Sequence, residues 1–123
     1  DLIDSILERN LFRSRRILAY LKAIKSSEVY ILFLINSEIK KIYYLLNNLS
    51  PQPYIPNFKR NLYNTFSRNS DSDNVSDLLE LCFVIDKKIK TGKGQVKVWH
   101  QLEILVSSFI LNEPLNHISK EIS

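Results

Sequence analysis

Two neighbouring segments near the end of the chain carry apolar residues at the spacing of amphipathic helices, and this pattern constrains the fold most. In the first segment the apolar positions recur at i, i+3, i+4 and i+7: Val75, Leu78, Leu79, Cys82, Ile85 and Ile89. The second segment has the same spacing in Trp99, Leu102, Leu105, Val106 and Phe109. Each apolar stripe has to be buried against other elements, so the pair predicts helix-on-helix packing.

The rest of the chain has helical periodicity too, and only two glycines and four prolines occur among its 123 residues. The pattern predicts four earlier helices, over residues 2–8, 11–25, 28–48 and 57–68. Because residues 29–35 are apolar throughout, we expect the third helix to be central and packed on several sides. No stretch alternates strictly between apolar and polar residues. We therefore predict an all-α fold, a single-domain bundle of five to six helices over residues 1–123.

Helix ends and buried faces can also be predicted from residue type. Ser27 is a suitable N-cap for the third helix and Asp73 for the fifth, whereas Gly92 can end the fifth in a left-handed conformation. In the fourth helix, the buried side is expected to carry Phe58, Leu62 and Phe66. The predicted core consists of Ile17, Leu21, Leu32, Ile35, Leu79, Cys82, Trp99, Leu102 and Val106.

The charges are distributed unevenly along the chain, although the net charge of +4 is modest. Residues 71–86 hold five acids and no base, and residues 87–98 hold five lysines and no acid. Acids at a helix start and cations at its end stabilise the helix dipole, which accounts for most of this asymmetry. Arg13, Arg15 and Arg16 together with the tyrosines would suit a nucleic-acid surface. The modest net charge favours a solvated charged face instead.

The sequence contains no residue pattern typical of an active site. The segment Thr91-Gly92-Lys93-Gly94 lacks the spacing of a phosphate-binding loop. One cysteine and two distant histidines do not make a zinc ligand set, and His100 suits a surface or interface position. We therefore expect no catalytic residue, no cofactor and no metal, and we expect that this segment is not an enzyme by itself.

The chain's surroundings can be inferred only from the absence of targeting signals. Residues 29–35 are too few to span a bilayer, and no signal-peptide pattern is present. The single Cys82 cannot form an internal disulfide, and its position on an apolar face predicts a buried thiol. We expect a cytoplasmic protein without membrane contact, and a chain that is the end of a longer protein.

An ordered set of short motifs extends over nearly the whole chain. The most specific of them is Leu79-x-x-Cys82-x-x-x-Asp86-x-x-x-Lys90 followed by Trp99-x-x-Leu102-Glu103. The earlier segments Arg15 to Leu21 and Glu28 to Leu32 resemble two further helices of the same family, although Val29 stands where a proline is common. This order resembles the C-terminal domain of the delta subunits of bacterial DNA polymerase III clamp loaders.

The resemblance implies a collar domain that oligomerises with gamma/tau and delta-prime subunits in a pentameric ring, which supports loading of the sliding clamp on DNA. The clamp would be contacted by a region N-terminal to this chain, and ATP would be hydrolysed by other subunits. The resemblance gives Cys82, Asp86, Lys90, Trp99 and Leu102 the role of a structural signature.

Within that signature, Asp86 and Lys90 are expected to pair one helical turn apart, and Trp99 to anchor a helix junction. The apolar stripes of helices five and six are expected to face a neighbouring subunit, and a contact with DNA through the complex is left open. The alternative is a stand-alone helical module that binds a protein or a nucleic acid.

Overall fold

The computed structural model describes residues 1–92 and 97–116, and within these two ranges the chain is helical with no β-strand. A 3₁₀ segment at Asn57–Lys59 precedes the fourth helix. In this part of the chain the structure has six α-helices: α1 (Leu2–Leu7), α2 (Leu11–Ala23), α3 (Glu28–Leu46), α4 (Arg60–Arg68), α5 (Ser72–Thr91) and α6 (Val98–Leu111). The prediction of an all-α bundle of five to six helices is confirmed. The loop between α5 and α6, with Lys93 and Gly94, lies outside the described residues.

Helix α6 occupies the centre of the bundle. It packs against α1, α2, α3 and α5, whereas α3 packs mainly along α5 and α4. Eight of its residues are buried: Val98, Leu102, Leu105, Val106, Ser107, Ser108, Phe109 and Ile110. A helix that is apolar around most of its circumference needs neighbours on several sides, and α6 meets this condition more completely than α3 does.

The predicted core residues all lie in the core or against it. Five of them are buried: Leu32, Ile35, Cys82, Leu102 and Val106. The other four are half-buried and pack against the core: Ile17, Leu21, Leu79 and Trp99.

The first half of α3 was predicted to be packed on several sides, and this was wrong for one of its faces. Ile31, Leu32 and Ile35 are buried, but Val29 and Phe33 are 48% and 63% exposed. Four helices, α5, α4, α6 and α1, pack against α3, but they cover only part of its circumference. The uncovered face therefore carries large apolar side chains in contact with water.

Side chains cap the starts of α1, α2, α3 and α5, with one correction to the sequence-based assignment. Ser27 caps α3 as predicted, because its Oγ accepts a hydrogen bond from the Tyr30 N–H at 3.2 Å. The cap of α5 is Asp71 and not Asp73, since Asp71 Oδ2 accepts from the Asn74 N–H at 3.1 Å. Helix α5 thus begins earlier than expected. Asp73 lies in its first turn, where its negative charge interacts favourably with the helix dipole.

The buried side of the fourth helix was also predicted incorrectly at one position. Phe66 is buried and Leu62 half-buried, but Phe58 is 84% exposed. Phe58 belongs to the 3₁₀ segment, whose three residues per turn rotate it out of register with α4. Tyr63 is buried in its place. Its hydroxyl donates to the buried carboxylate of Glu38 on α3.

The Glu38 carboxylate is held by two partners, which explains how a charged group is accommodated in the interior. Lys41 Nζ donates to Glu38 Oε2 at 2.9 Å, and the Tyr63 hydroxyl donates to Oε1. Burial and the adjacent carboxylate both raise the pKa of the Tyr63 phenol, so Tyr63 remains a hydrogen-bond donor. The cluster ties α4 to α3.

Arg9 connects three parts of the chain that are distant in sequence. It lies between α1 and α2 with a φ of 57°. Its guanidinium donates to the Phe66 carbonyl at 2.9 Å, to Ser70 Oγ at 3.0 Å and to the Ile110 carbonyl. The same group lies 4.0 Å from the centroid of the Phe66 ring, a cation–π geometry. Burial lowers the pKa of the Arg9 guanidinium, which still remains charged because arginine starts from so high a value.

Replacing Arg9 by methionine, which preserves most of the side-chain bulk, should lower the free energy of unfolding by about 2–3 kcal/mol, because charged hydrogen bonds to half-buried groups are lost together. Urea denaturation followed by circular dichroism measures this change. Arg60→Met is the matched control, since Arg60 is exposed and makes no ion pair within the described residues. The control should stay within about 0.5 kcal/mol of the original protein. Equal effects of the two substitutions would contradict the role given to Arg9.

Candidate functional site

The five signature residues do not form one site. Cys82 and Leu102 are buried in the core, at 3% and 0% exposure, while Trp99 is half-buried. Asp86 Oδ2 and Lys90 Nζ are paired at 2.8 Å along the surface of α5. Such a surface i,i+4 pair contributes only about 0.3–0.5 kcal/mol, which makes it a local helix contact. Cys82 and Asp86 line one surface groove, and Trp99 lines another.

The first groove lies between α3 and α5 and is mainly apolar. Its volume is about 390 Å³. We call it the α3–α5 groove, and its lining consists of Val29, Leu32, Phe33, Asn36, Lys40, Leu79, Cys82, Phe83 and Asp86. Phe33 and Phe83 are 63% and 69% exposed, one on each helix. Large apolar side chains grouped on a surface are typical of contact sites between proteins.

The second groove lies between α2 and α6 and is larger, with a volume of about 740 Å³. We call it the α2–α6 groove, and its lining consists of Leu11, Phe12, Arg15, Arg16, Leu18, Ala19, Lys22, Trp99, His100 and Glu103. It combines an aliphatic and aromatic lining with three cations and one carboxylate. Its volume falls within the range of roughly 300–1,000 Å³ that is usual for ligand pockets.

The charges of the α2–α6 groove are only partly neutralised. Arg15 Nη2 lies 2.6 Å from Glu103 Oε1, which joins α2 to α6 across the groove. The Arg16 guanidinium lies 5.2 Å from the centroid of the Phe12 ring. Neither Arg16 nor Lys22 makes an ion pair with any part of the chain that the structure describes. Two positive charges therefore remain available to a bound molecule.

Sequence reasoning identified Arg15, Arg16, Trp99 and His100 but did not bring them together. It missed Phe12 and Phe83, which are 72% and 69% exposed. A signal for Phe83 exists in the sequence, because it falls outside the apolar stripe of the fifth helix that Leu78, Cys82 and Ile85 define. An apolar aromatic residue off the buried stripe is a candidate contact residue.

Helices α5 and α6 were expected to present one joint apolar side to a partner, but α6 contributes little exposed apolar surface. Helix α6 uses its apolar stripe inside the bundle, and its one exposed large apolar residue is Leu111, at 39%. On α5, Phe83 and Val84 are exposed. The apolar surface on this side of the protein is therefore built from α3 and α5.

The described residues hold neither a metal-ligand cluster nor a helix that could span a membrane. No group of three or more histidine, cysteine, aspartate or glutamate side chains in residues 1–92 and 97–116 has the arrangement of a metal site. No helix found there has the length and the apolar character needed to cross a membrane. The two grooves are the candidate sites that the geometry supplies.

Comparison of the chain with protein-family models, with curated proteins and with solved structures finds no match. The features that bear on function are therefore the residues themselves, the two grooves and the motif resemblance.

Cys82 should be unreactive in the folded protein, although it lines the α3–α5 groove. Burial raises the pKa of its thiol from 9.0 to about 12, only partly opposed by the charge of Lys40. The reactive species is the thiolate. Folded protein should therefore react slowly with a disulfide reagent between pH 9.0 and about pH 12, where its thiol stays protonated. In denaturant the thiol should react at the rate of an ordinary cysteine. Absorbance of the released chromophore follows the reaction, and equal rates in the two states would contradict this account.

The same shift predicts how stability changes with pH. The unfolded chain loses the Cys82 proton near pH 9.0, whereas the folded chain keeps it until about pH 12. Ionisation of the unfolded state then favours unfolding, so stability should decrease as pH rises through this interval. The decrease should be smaller in Cys82→Ala, as measured by urea denaturation at a series of pH values. An identical decrease in both proteins would show that Cys82 does not contribute.

Proposed function

We propose that this chain is the collar domain of a delta-type subunit of a bacterial DNA polymerase III clamp loader. In this role it assembles with gamma/tau and delta-prime subunits in a pentameric ring in the cytoplasm, and it has no catalytic residue of its own. The sliding clamp is then contacted by a region outside this chain, and DNA is reached through the complex. The proposal is supported by the ordered motifs and is compatible with the all-α bundle.

The observation that carries the proposal is the α3–α5 groove. Phe33 and Phe83 are each more than 60% exposed, at 63% and 69%, and they face the same groove as Val29 and Leu79. Burying an aromatic side chain of this size stabilises an interface by roughly 1.5–3 kcal/mol. Lys40 and Asp86 line the same groove and give it one charge of each sign, as expected at the polar rim of a protein interface.

A second candidate function is a stand-alone module that binds a protein or a nucleic acid. The α2–α6 groove favours this function, because its cations and aromatic side chains are independent of the α3–α5 groove and share no residue with it. The two candidates differ in the surface that they require, so substitutions in one groove distinguish them.

The double variant Phe33→Asp, Phe83→Asp should weaken assembly with cognate gamma and delta-prime subunits by about 2 kcal/mol or more, roughly thirtyfold in dissociation constant. The physical reason is that two carboxylates in an apolar contact lose hydration without gaining partners. Co-purification gives the qualitative result, and analytical ultracentrifugation gives the constant. Both positions are exposed, so the unfolding midpoint should change little.

Phe58→Asp is the matched control. Phe58 is 84% exposed and does not line either groove, so assembly should be unaffected. Assembly of the double variant at the original affinity would refute the assignment of the interface. Failure of the unsubstituted chain to assemble with these subunits would refute the collar function and favour the stand-alone module.

A further inference from the structure

We propose that the α2–α6 groove binds an acidic amphipathic helix of a partner protein, with the apolar stripe of that helix in the groove and its carboxylates against Arg16 and Lys22. This inference goes beyond the collar function and does not depend on it. The two use different grooves, which have no lining residue in common.

The groove has the shape and the lining that an apolar helix face requires. Its cavity of about 740 Å³ runs between two helices and is lined by Leu11, Leu18 and Trp99. Ala19 is exposed on α2, and its small side chain leaves the groove open. The cations Arg15, Arg16 and Lys22 lie about one helical turn from Ala19 on the same helix. Apolar side chains at i, i+3 or i+4 of a partner helix are the usual occupants of such a groove.

The charges around the groove select an acidic partner. Arg15 is already paired with Glu103 at 2.6 Å, which leaves Arg16 and Lys22 without carboxylate partners among the described residues. Both are exposed on α2, so each can reach a carboxylate on the flank of a helix in the groove. Such rim charges contribute chiefly to the association rate and to partner choice.

A single-stranded nucleic acid is the main competing occupant, and the lining argues against it. Binding of single strands requires aromatic surfaces for stacking along a cationic path. Here the lining includes the aliphatic Leu11, Leu18 and Ala19 as well as aromatic side chains, and the Glu103 carboxylate is part of it. Because Glu103 already pairs with Arg15, the lining leaves Arg16 and Lys22 to contact phosphates, and two cations do not make a cationic path along a strand.

Selection from a displayed peptide library tests the proposal directly. The library is selected on the folded chain and counter-selected on Ala19→Phe, which fills the groove at an exposed position. We expect the retained peptides to share apolar residues at i, i+3 or i+4 spacing with flanking aspartate or glutamate. Retained peptides without acids, or peptides that bind Ala19→Phe equally well, would overturn the proposal.

Binding of a selected peptide can be measured through Trp99, which is the one tryptophan of the chain and lines the groove. Its emission should shift on binding. The variant Arg16→Gln, Lys22→Gln should weaken binding by about tenfold, an effect that decreases at high salt. Arg60→Gln, Arg68→Gln removes the same charge from α4, outside the groove, and should leave the affinity unchanged.

Oligodeoxythymidine is titrated in the same assay. The proposal expects no shift of Trp99 emission. A shift that is blocked in Ala19→Phe, together with no selected acidic peptide, would overturn the proposal in favour of a nucleic-acid site. Unfolding midpoints of all variants are compared with that of the original chain, so that loss of binding can be separated from loss of structure.

Discussion

The bundle depends on one cation placed where two helices end. Phe66 and Ile110 lie in the last turns of α4 and α6, and their carbonyls both accept from Arg9. The last carbonyls of a helix lack partners within it and carry partial negative charge, so a guanidinium there satisfies hydrogen bonds and the dipole at once. The Phe66 ring lies against both Arg9 and Phe109, with ring centroids 4.7 Å apart in the aromatic pair. The segment between α1 and α2 is thereby fixed to the ends of α4 and α6.

The central position of α6 determines what remains at the surface. Because α6 uses its apolar residues against four neighbours, no helix within residues 1–92 and 97–116 covers the outer sides of α2, α3 and α5 completely. The aromatic residues Phe12, Phe33 and Phe83 remain exposed there, beside the two grooves. The surface available to partners is thus a consequence of the packing order.

Local features of the fold could be predicted from the sequence, whereas features that depend on distant contacts could not. Helix periodicity, the Ser27 cap and the left-handed Gly92 depend on residues that are close together in the chain. Helices α1 and α2 are instead followed, two residues after their last helical residues, by Arg9 and Lys25, which have positive φ although neither is glycine, and only the fold reveals this. The grooves could not be predicted either, because Trp99 and Phe12 meet only after α6 has packed on α2. Phe58 shows the same limit, since one 3₁₀ turn changed its direction.

The two grooves differ in the physical basis of the contacts that they can make. In the α3–α5 groove the aromatic area is large and the lining carries one charge of each sign, so binding there would depend mainly on apolar burial. In the α2–α6 groove the positive charges exceed the negative, so a contact there would be screened at high ionic strength. Helix α6 packs against both α2 and α5, so the helices that line the two grooves share one buried neighbour. A domain of this kind can hold one partner by apolar area and select a second by charge, without the two competing for the same residues.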